Sequence, residues 1–211
     1  MSLQLPTFDY ENQYPLNQLV VGVDEAGRGP WAGPVVAGAV IFFTRNLPDD
    51  LKPLIRDSKT LSRKQREQAF ELIQKYEGEL LHYAFGEASV EEIDCLNIQQ
   101  ATFLAMTRAV EALPLRAQYA LVDGNRKPHF TCPVETIIKG DRFSISIAAA
   151  SIAAKVTRDR LMDSLHEQFP EYGWITNSGY GTKIHQDALQ IHGVTPHHRR
   201  TYAPIAKLLA A

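Results

Sequence analysis

The run Asp24-Glu25-Ala26-Gly27-Arg28-Gly29-Pro30 sets two adjacent carboxylates directly before a glycine-flanked arginine. Apolar Leu19, Val20, Val21 and Val23 lead into it, so the carboxylates are expected at the end of a buried strand. Carboxylates beside a core require a cation or hydrogen-bond donors. Glycines let backbone N–H groups approach a ligand closely, and a guanidinium suits phosphate better than an amine does. Oxygen ligands for a metal beside donors for a phosphate are the chemistry of a nuclease. A dinucleotide fingerprint is excluded, because the next glycine is Gly33 and Pro30 and Pro34 block the helix it requires. The residue types by themselves also suit an ordinary solvated turn.

Strands must carry these groups to one place. The pattern predicts strands over 19–25 and 34–43, a helix opening at Ser62 with Gln65 in a capping box and ending near Tyr76, and a strand over 80–85. Those three strands form an expected antiparallel meander. A short helix over 89–94 and a longer one over 97–113 follow, the second with Ile98, Ala101, Leu104, Ala105 and Val110 on one face. Strands over 118–123 and 134–138, set apart from the meander by helix, are expected to add in parallel. The longest helical stretch is 144–169, with small residues that permit close approach to the sheet. Residues 178–181 read as a turn, and 184–192 and 204–210 as short helices.

In such an α/β domain the strand ends gather along one edge. Asp24-Glu25 ends the first strand, Asp123 the fourth, and Asp141 follows the fifth just before a helix. Each has a plain structural use: Asp123-Gly124 is a good turn pair, and Asp141 favours a helix start. Grouped, they repel one another unless a divalent cation is present, and their oxygens suit Mg²⁺ or Mn²⁺. Adjacent residues on a regular strand face opposite ways. Glu25 therefore joins Asp24 at one ion only if the strand bends, or else it contributes through its carbonyl or a water.

The composition bounds the alternatives. With 211 residues, 45% hydrophobic and 22% charged, the chain suits one soluble domain. The first 18 residues hold no basic residue and read as a loose lead-in rather than a secretory signal. No apolar run is long enough to span a bilayer. Cys95 and Cys132 are expected as reduced thiols in a cytoplasmic protein. Net charge is −2, yet residues 124–211 carry 11 basic and 7 acidic groups, while the first 123 carry 11 and 17. The second half could track a phosphate backbone, or its surface could be merely uneven. His185, His192, His197 and His198 match no metal pattern and are expected to be solvated near backbone phosphates.

The ordered strings Asp24 to Pro30, Gly33-Pro34, Asp57-Ser58-Lys59, Val122-Asp123-Gly124, Lys139-Gly140-Asp141, Ala149 to Val156 and Ser178-Gly179-Tyr180 resemble ribonuclease HII over roughly residues 19–204. The ribonuclease HIII pattern fits worse, lacking the Gly-Arg-Gly-Pro run. The resemblance implies a ribonuclease H-like α/β fold, a five-stranded mixed sheet flanked by helices. It divides the chain into the lead-in 1–18, a catalytic domain 19–170, and a C-terminal helical extension 171–211 packed on that domain. It implies cleavage of RNA in RNA–DNA hybrids and at single ribonucleotides in duplex DNA, leaving 5′-phosphate and 3′-hydroxyl ends. Asp24, Glu25, Asp123 and Asp141 are then the catalytic and metal-binding carboxylates, with two Mn²⁺ or Mg²⁺ ions during catalysis. Gly27, Arg28, Gly29 and Tyr180 read the ribonucleotide, and Lys59 and Lys155 are candidates for phosphate contact or ordinary lysines. The family usually has Pro after this Tyr, and Gly181 here implies a more flexible loop. A monomer without membrane association is expected. A non-catalytic hybrid- or junction-binding module on the same fold is the alternative, and the four filled acidic positions weigh against it.

Overall fold

The apolar run before the first carboxylates is strand β1 (Val20–Ala26), and it lies at the centre of the sheet. The computed structural model describes residues 5–210. On one side β1 pairs antiparallel with β2 (Val35–Phe42), which pairs antiparallel with β3 (Leu81–Ala88). On the other side it pairs in parallel with β4 (Tyr119–Asp123), and β4 pairs in parallel with β5 (Val134–Ile137). The order β3-β2-β1-β4-β5 is the expected meander with its parallel addition. Strand β3 runs three residues beyond the expected 85, because its edge continues to pair with β2 as far as Val35.

Helices cover both faces. Helix α1 (Arg63–Lys75) begins on the predicted Ser62–Gln65 capping box. Helices α2 (Val90–Leu96) and α3 (Ile98–Glu111) follow β3, and α3 packs Ala101, Ala105 and Ala109 against Val21, Val23 and Ala37. Helix α4 (Ile145–Gln168) crosses the opposite face, where it shares a core with α1. The approach of α4 is set by missing side chains. A Cβ on Gly22 would lie 2.2 Å from the Ser146 backbone, and one on Gly38 would lie 2.3 Å from the Ala150 carbonyl oxygen. Alanines on the helix and glycines on the strands thus bring α4 close to β1 and β2.

The lead-in is not loose. Its residues 1–4 lie outside the described residues, but Phe8 is buried against Phe42 and Glu11 is 1% exposed. The Glu11 carboxylate accepts from Ser144 Oγ at 2.6 Å and from the Ser146 N–H at 2.9 Å, so it neutralises the positive start of α4. Its anchoring partner lies more than 130 residues away in sequence, beyond any local pattern. At the other end, α5 (Trp174–Asn177), α6 (Lys183–His192) and α7 (Ala203–Leu209) form the extension, with Trp174, Leu189 and Ile205 packed on Ala32 and Met162. Among the described residues no helix is long and apolar enough to cross a membrane.

The contact between β2 and α4 gives a direct test. Gly38→Ala drives a methyl group into helix backbone that cannot rotate away, and is expected to cost about 2–3 kcal/mol, or about 4–12 °C in Tm. Thermal or urea unfolding measures it, and an unchanged midpoint would mean that α4 does not rest on β2 as described.

Candidate active site

Strand register puts two carboxylates side by side. Val23 lies opposite Val122 in the parallel pair of β1 and β4, so Asp24 and Asp123 follow together at adjacent strand ends. Neighbouring strands are about 4.8 Å apart and paired residues project from the same face, here the face covered by α4. Asp141 arrives on that face from a 3₁₀ turn (Gly140–Arg142) just before α4, and the Gly140 N–H donates to Asp123 Oδ1 at 2.6 Å. Asp24, Asp123 and Asp141 are therefore drawn together. Glu25 is not part of that row. Strand pairing runs unbroken through Ala26, so no bend turns Glu25 beside Asp24. Its carboxylate instead pairs with Arg28 at 3.3 Å, and Arg28 reaches on to Gln99 Oε1 at 3.0 Å.

The charges are poorly matched by the protein itself. Asp24 is 4% exposed, and its one hydrogen bond among the described residues comes from the Glu25 N–H at 2.7 Å. Burial, then repulsion from Glu25 and Asp123, pushes its carboxyl well above the usual range. Burial also raises Glu25, offset in part by Arg28, and raises Asp123, offset by the Gly140 N–H and Lys59. Asp141 is raised by burial and by repulsion from Asp57 and Asp123. Lys59 stands 3.7 Å from Asp141. Partial desolvation works against its charge, but the field of Asp141, Asp24, Asp57 and Asp123 outweighs that and raises its pKa.

Among the described residues no three acidic, histidine or cysteine side chains close tightly enough to cage an ion as they stand. The donor set nevertheless suits a hard divalent cation: oxygen ligands only, mutually repelling, with a buried carboxylate that forms no ion pair among the described residues. Asp24, Asp123 and Asp141 would hold such an ion, with Glu25 at the flank.

A cavity of about 350 Å³ opens in front of Asp24, lined by Gly27, Arg28, Gly29, Lys59 and Tyr180. Beyond the Glu25–Arg28 pair lies a second, of about 180 Å³, lined by Gln99, Asp123, Asn125 and Arg126. Lys155 borders the first cavity, but its ammonium donates to Asp159 at 2.6 Å. The glycines also make room for side chains. The missing side chain of Gly27 (φ +96°) makes room for Arg158, whose Nε would lie 1.9 Å from a Cβ there. Gly29 lies against the half-exposed Tyr180 ring, 3.2 Å from a would-be Cβ. Gly181 sits flush on the Trp31 indole, 2.1 Å from a would-be Cβ, so a larger residue there would displace the indole.

The expectation of solvated histidines in the C-terminal segment fails for two of them, because of burial. His185 and His198 are fully buried rather than solvated. His198 Nδ1 accepts from the Thr195 N–H at 3.0 Å, so its Nε2–H donates to His185 Nε2 at 2.9 Å. His185 Nδ1–H is left to donate to the Tyr180 carbonyl at 3.0 Å. Burial, then each other's proximity, lowers His198 to about 3, so the pair is neutral and holds the Tyr180 loop. Arg199 is also 0% exposed and donates to the carbonyls of Gly27, Arg28, Gly33 and Pro34. Neither Arg199 nor Arg158 carries a sequence signal beyond its charge. Asp57, buried beside Asp141, was legible only as part of a motif.

The sequence model of the family described as Ribonuclease HII matches residues 21–205. The ribonuclease HII of Paramagnetospirillum magneticum is 51% identical, over 95% of this chain and 98% of that protein. Among solved structures, the ribonuclease H2 of Pyrococcus horikoshii superposes with a TM-score of 0.74 at 28% identity, covering 90% of this chain and 97% of that one. The ribonuclease HII of Archaeoglobus fulgidus, solved in a complex with PCNA, gives 0.69 at 26% identity, covering 87% and 95%.

A carboxylate whose pKa is raised by folding stabilises the fold below its unfolded value of about 3.9, and that contribution is lost as pH rises through the folded pKa. Ionised Asp24 is therefore a cost at neutral pH. In chelator at pH 7.5, Asp24→Asn is expected to raise stability by about 1–2 kcal/mol, or about 2–8 °C in Tm, with the difference vanishing toward pH 4. Melting curves against pH measure it, and an Asn variant less stable than its parent at pH 7.5 would refute the electrostatic picture.

Proposed function

Because the chain belongs to the ribonuclease HII family, and is thereby a metal-dependent endoribonuclease acting on RNA–DNA hybrids, we propose that it also incises duplex DNA at single ribonucleotides. The products are a 5′-phosphate and a 3′-hydroxyl. One observation carries the reading: buried Asp24 and half-buried Asp123, which repel each other, end adjacent strands, and Asp24 opens on a cavity whose other wall is the Gly-Arg-Gly turn and Tyr180.

In this reading Asp24 and Asp123 hold divalent ions, Asp141 completes the set, and Glu25 contributes from the flank while restraining Arg28. Two bound Mn²⁺ or Mg²⁺ ions would activate water and stabilise the leaving 3′-oxygen. Arg28 contacts a phosphate, and Lys59, held in the field of the carboxylates, steers a second. The N–H groups of Arg28 and Gly29 have no intramolecular partner among the described residues, and they border the cavity. They are donors for the 2′-hydroxyl, the group that separates a ribonucleotide from its neighbours. The Tyr180 ring, pressed on Gly29, offers a stacking face for the sugar beside the junction. Lys155, engaged by Asp159, supports the wall of the site.

Asp24→Asn and Asp123→Asn are each expected to reduce cleavage roughly a hundred- to thousandfold or more, with folding and duplex binding retained. Rates across a Mg²⁺ and Mn²⁺ titration check this, and near-normal turnover by either variant would remove the metal mechanism. Tyr180→Ala is expected to cost about 1–3 kcal/mol more at one embedded ribonucleotide than on a long hybrid. Equal losses on both substrates would make Tyr180 a general support instead.

A further inference from the structure

We propose that Arg158 is a positioning residue that ties the Gly-Arg-Gly turn and the Ser-Gly-Tyr loop into one reading unit, with Arg199 clamping the turn from behind. The inference rests on the reading of those two elements given above. Arg158 is 1% exposed and has no carboxylate within ion-pair distance among the described residues. Its guanidinium spends its hydrogen bonds on backbone. Nε donates to the Pro34 carbonyl at 3.0 Å, Nη2 to Ala32 at 3.1 Å, and Nη1 to Ser178 at 3.0 Å. The first two carbonyls belong to the segment leaving the turn, and the third opens the loop that carries Tyr180. One planar fork thus spans both elements.

Arg199 completes the grip. It donates to the Gly27 carbonyl at 2.5 Å and to the Arg28 carbonyl at 2.9 Å. In a planar trans peptide the carbonyl and the following N–H point opposite ways. Drawing those two carbonyls inward therefore turns the N–H groups of Arg28 and Gly29 outward. These are the same two N–H groups that lack an internal partner. Gly27 is glycine because the Arg158 side chain occupies the space a Cβ would need. The turn's left-handed conformation, its outward donors and the seat of the tyrosine loop then share a common cause.

A lysine cannot replace this arrangement. It keeps the charge and most of the stem but has no planar fork to reach Pro34 and Ser178 together. The test compares kcat/KM on duplex DNA bearing one ribonucleotide with that on a long RNA–DNA hybrid. It uses Arg158→Lys, Tyr180→Ala and the double variant of the full chain, with melting curves alongside. Arg158→Lys is expected to lower the single-ribonucleotide value at least tenfold more than the hybrid value. Adding Tyr180→Ala to it is expected to cost less than a further twofold. Equal losses on both substrates, or two losses that multiply in full, would overturn the tie. If Tyr180→Ala alone depresses both substrates equally, the reading of Tyr180 fails, a result distinct from failure of the tie.

Should Arg158→Lys melt below the assay temperature, the unmodified protein decides. In chelator, the Nε–H resonance of Arg158 is expected to shift on binding the single-ribonucleotide duplex and to stay in place with an all-DNA duplex. The same response to both duplexes would overturn the tie.

Discussion

Parallel pairing of two strands in register forces two aspartate charges together at the edge of a core. Val23 and Val122 are paired, and the next residue of each strand is an aspartate. Among the described residues Asp24 has one hydrogen bond, from a backbone N–H, and no ion pair, and burial with repulsion holds its carboxyl well above the ordinary range. The sheet cannot separate the charges without giving up the ladder, and the ladder is anchored by Val20, Val21 and Val23, all buried. The chain thus stores a local electrostatic cost that a hard divalent cation would relieve.

The remaining architecture serves to hold partners around that edge. The backbone of α4 meets Gly22 at Ser146 and Gly38 at Ala150, so the helix lies close enough for the turn before it to place Asp141 beside Asp123. Farther along, the same helix carries Arg158 under the Gly-Arg-Gly turn. The C-terminal segment reaches back with Arg199, and the His185–His198 pair holds the Tyr180 carbonyl. The Gly-Arg-Gly turn and the Tyr180 loop are therefore gripped from inside through their backbone carbonyls. The donors that face outward follow from that grip.

Much of this was legible in the sequence because its cause is local. Alternation and apolar runs gave the five strands, the Ser62–Gln65 spacing gave a helix start, and motif order gave the four carboxylates. What was missed depends on distance in sequence. Glu11 meets Ser146 across 135 residues, so nothing near residue 11 signals that the lead-in is pinned. Arg199 and His198 look like a solvated basic run, since no spacing rule reveals carbonyls gathered some 170 positions earlier. The turn glycines were legible as sites of close approach, and Arg158 and the Tyr180 ring, which lie against Gly27 and Gly29, were not. Glu25 shows the limit of a motif. The motif named it beside Asp24 while strand alternation set the two side chains apart, and the unbroken ladder sends Glu25 toward Arg28.

In the proposed site Asp24 and Asp123 are the principal ligand pair for a divalent ion. Crystals soaked in Mn²⁺ and measured near the manganese absorption edge test it most directly. An anomalous peak between the Asp24 and Asp123 carboxylates, within about 2.0–2.4 Å of an oxygen from each, is the expected result. A peak elsewhere, or none at saturating Mn²⁺, would contradict the account.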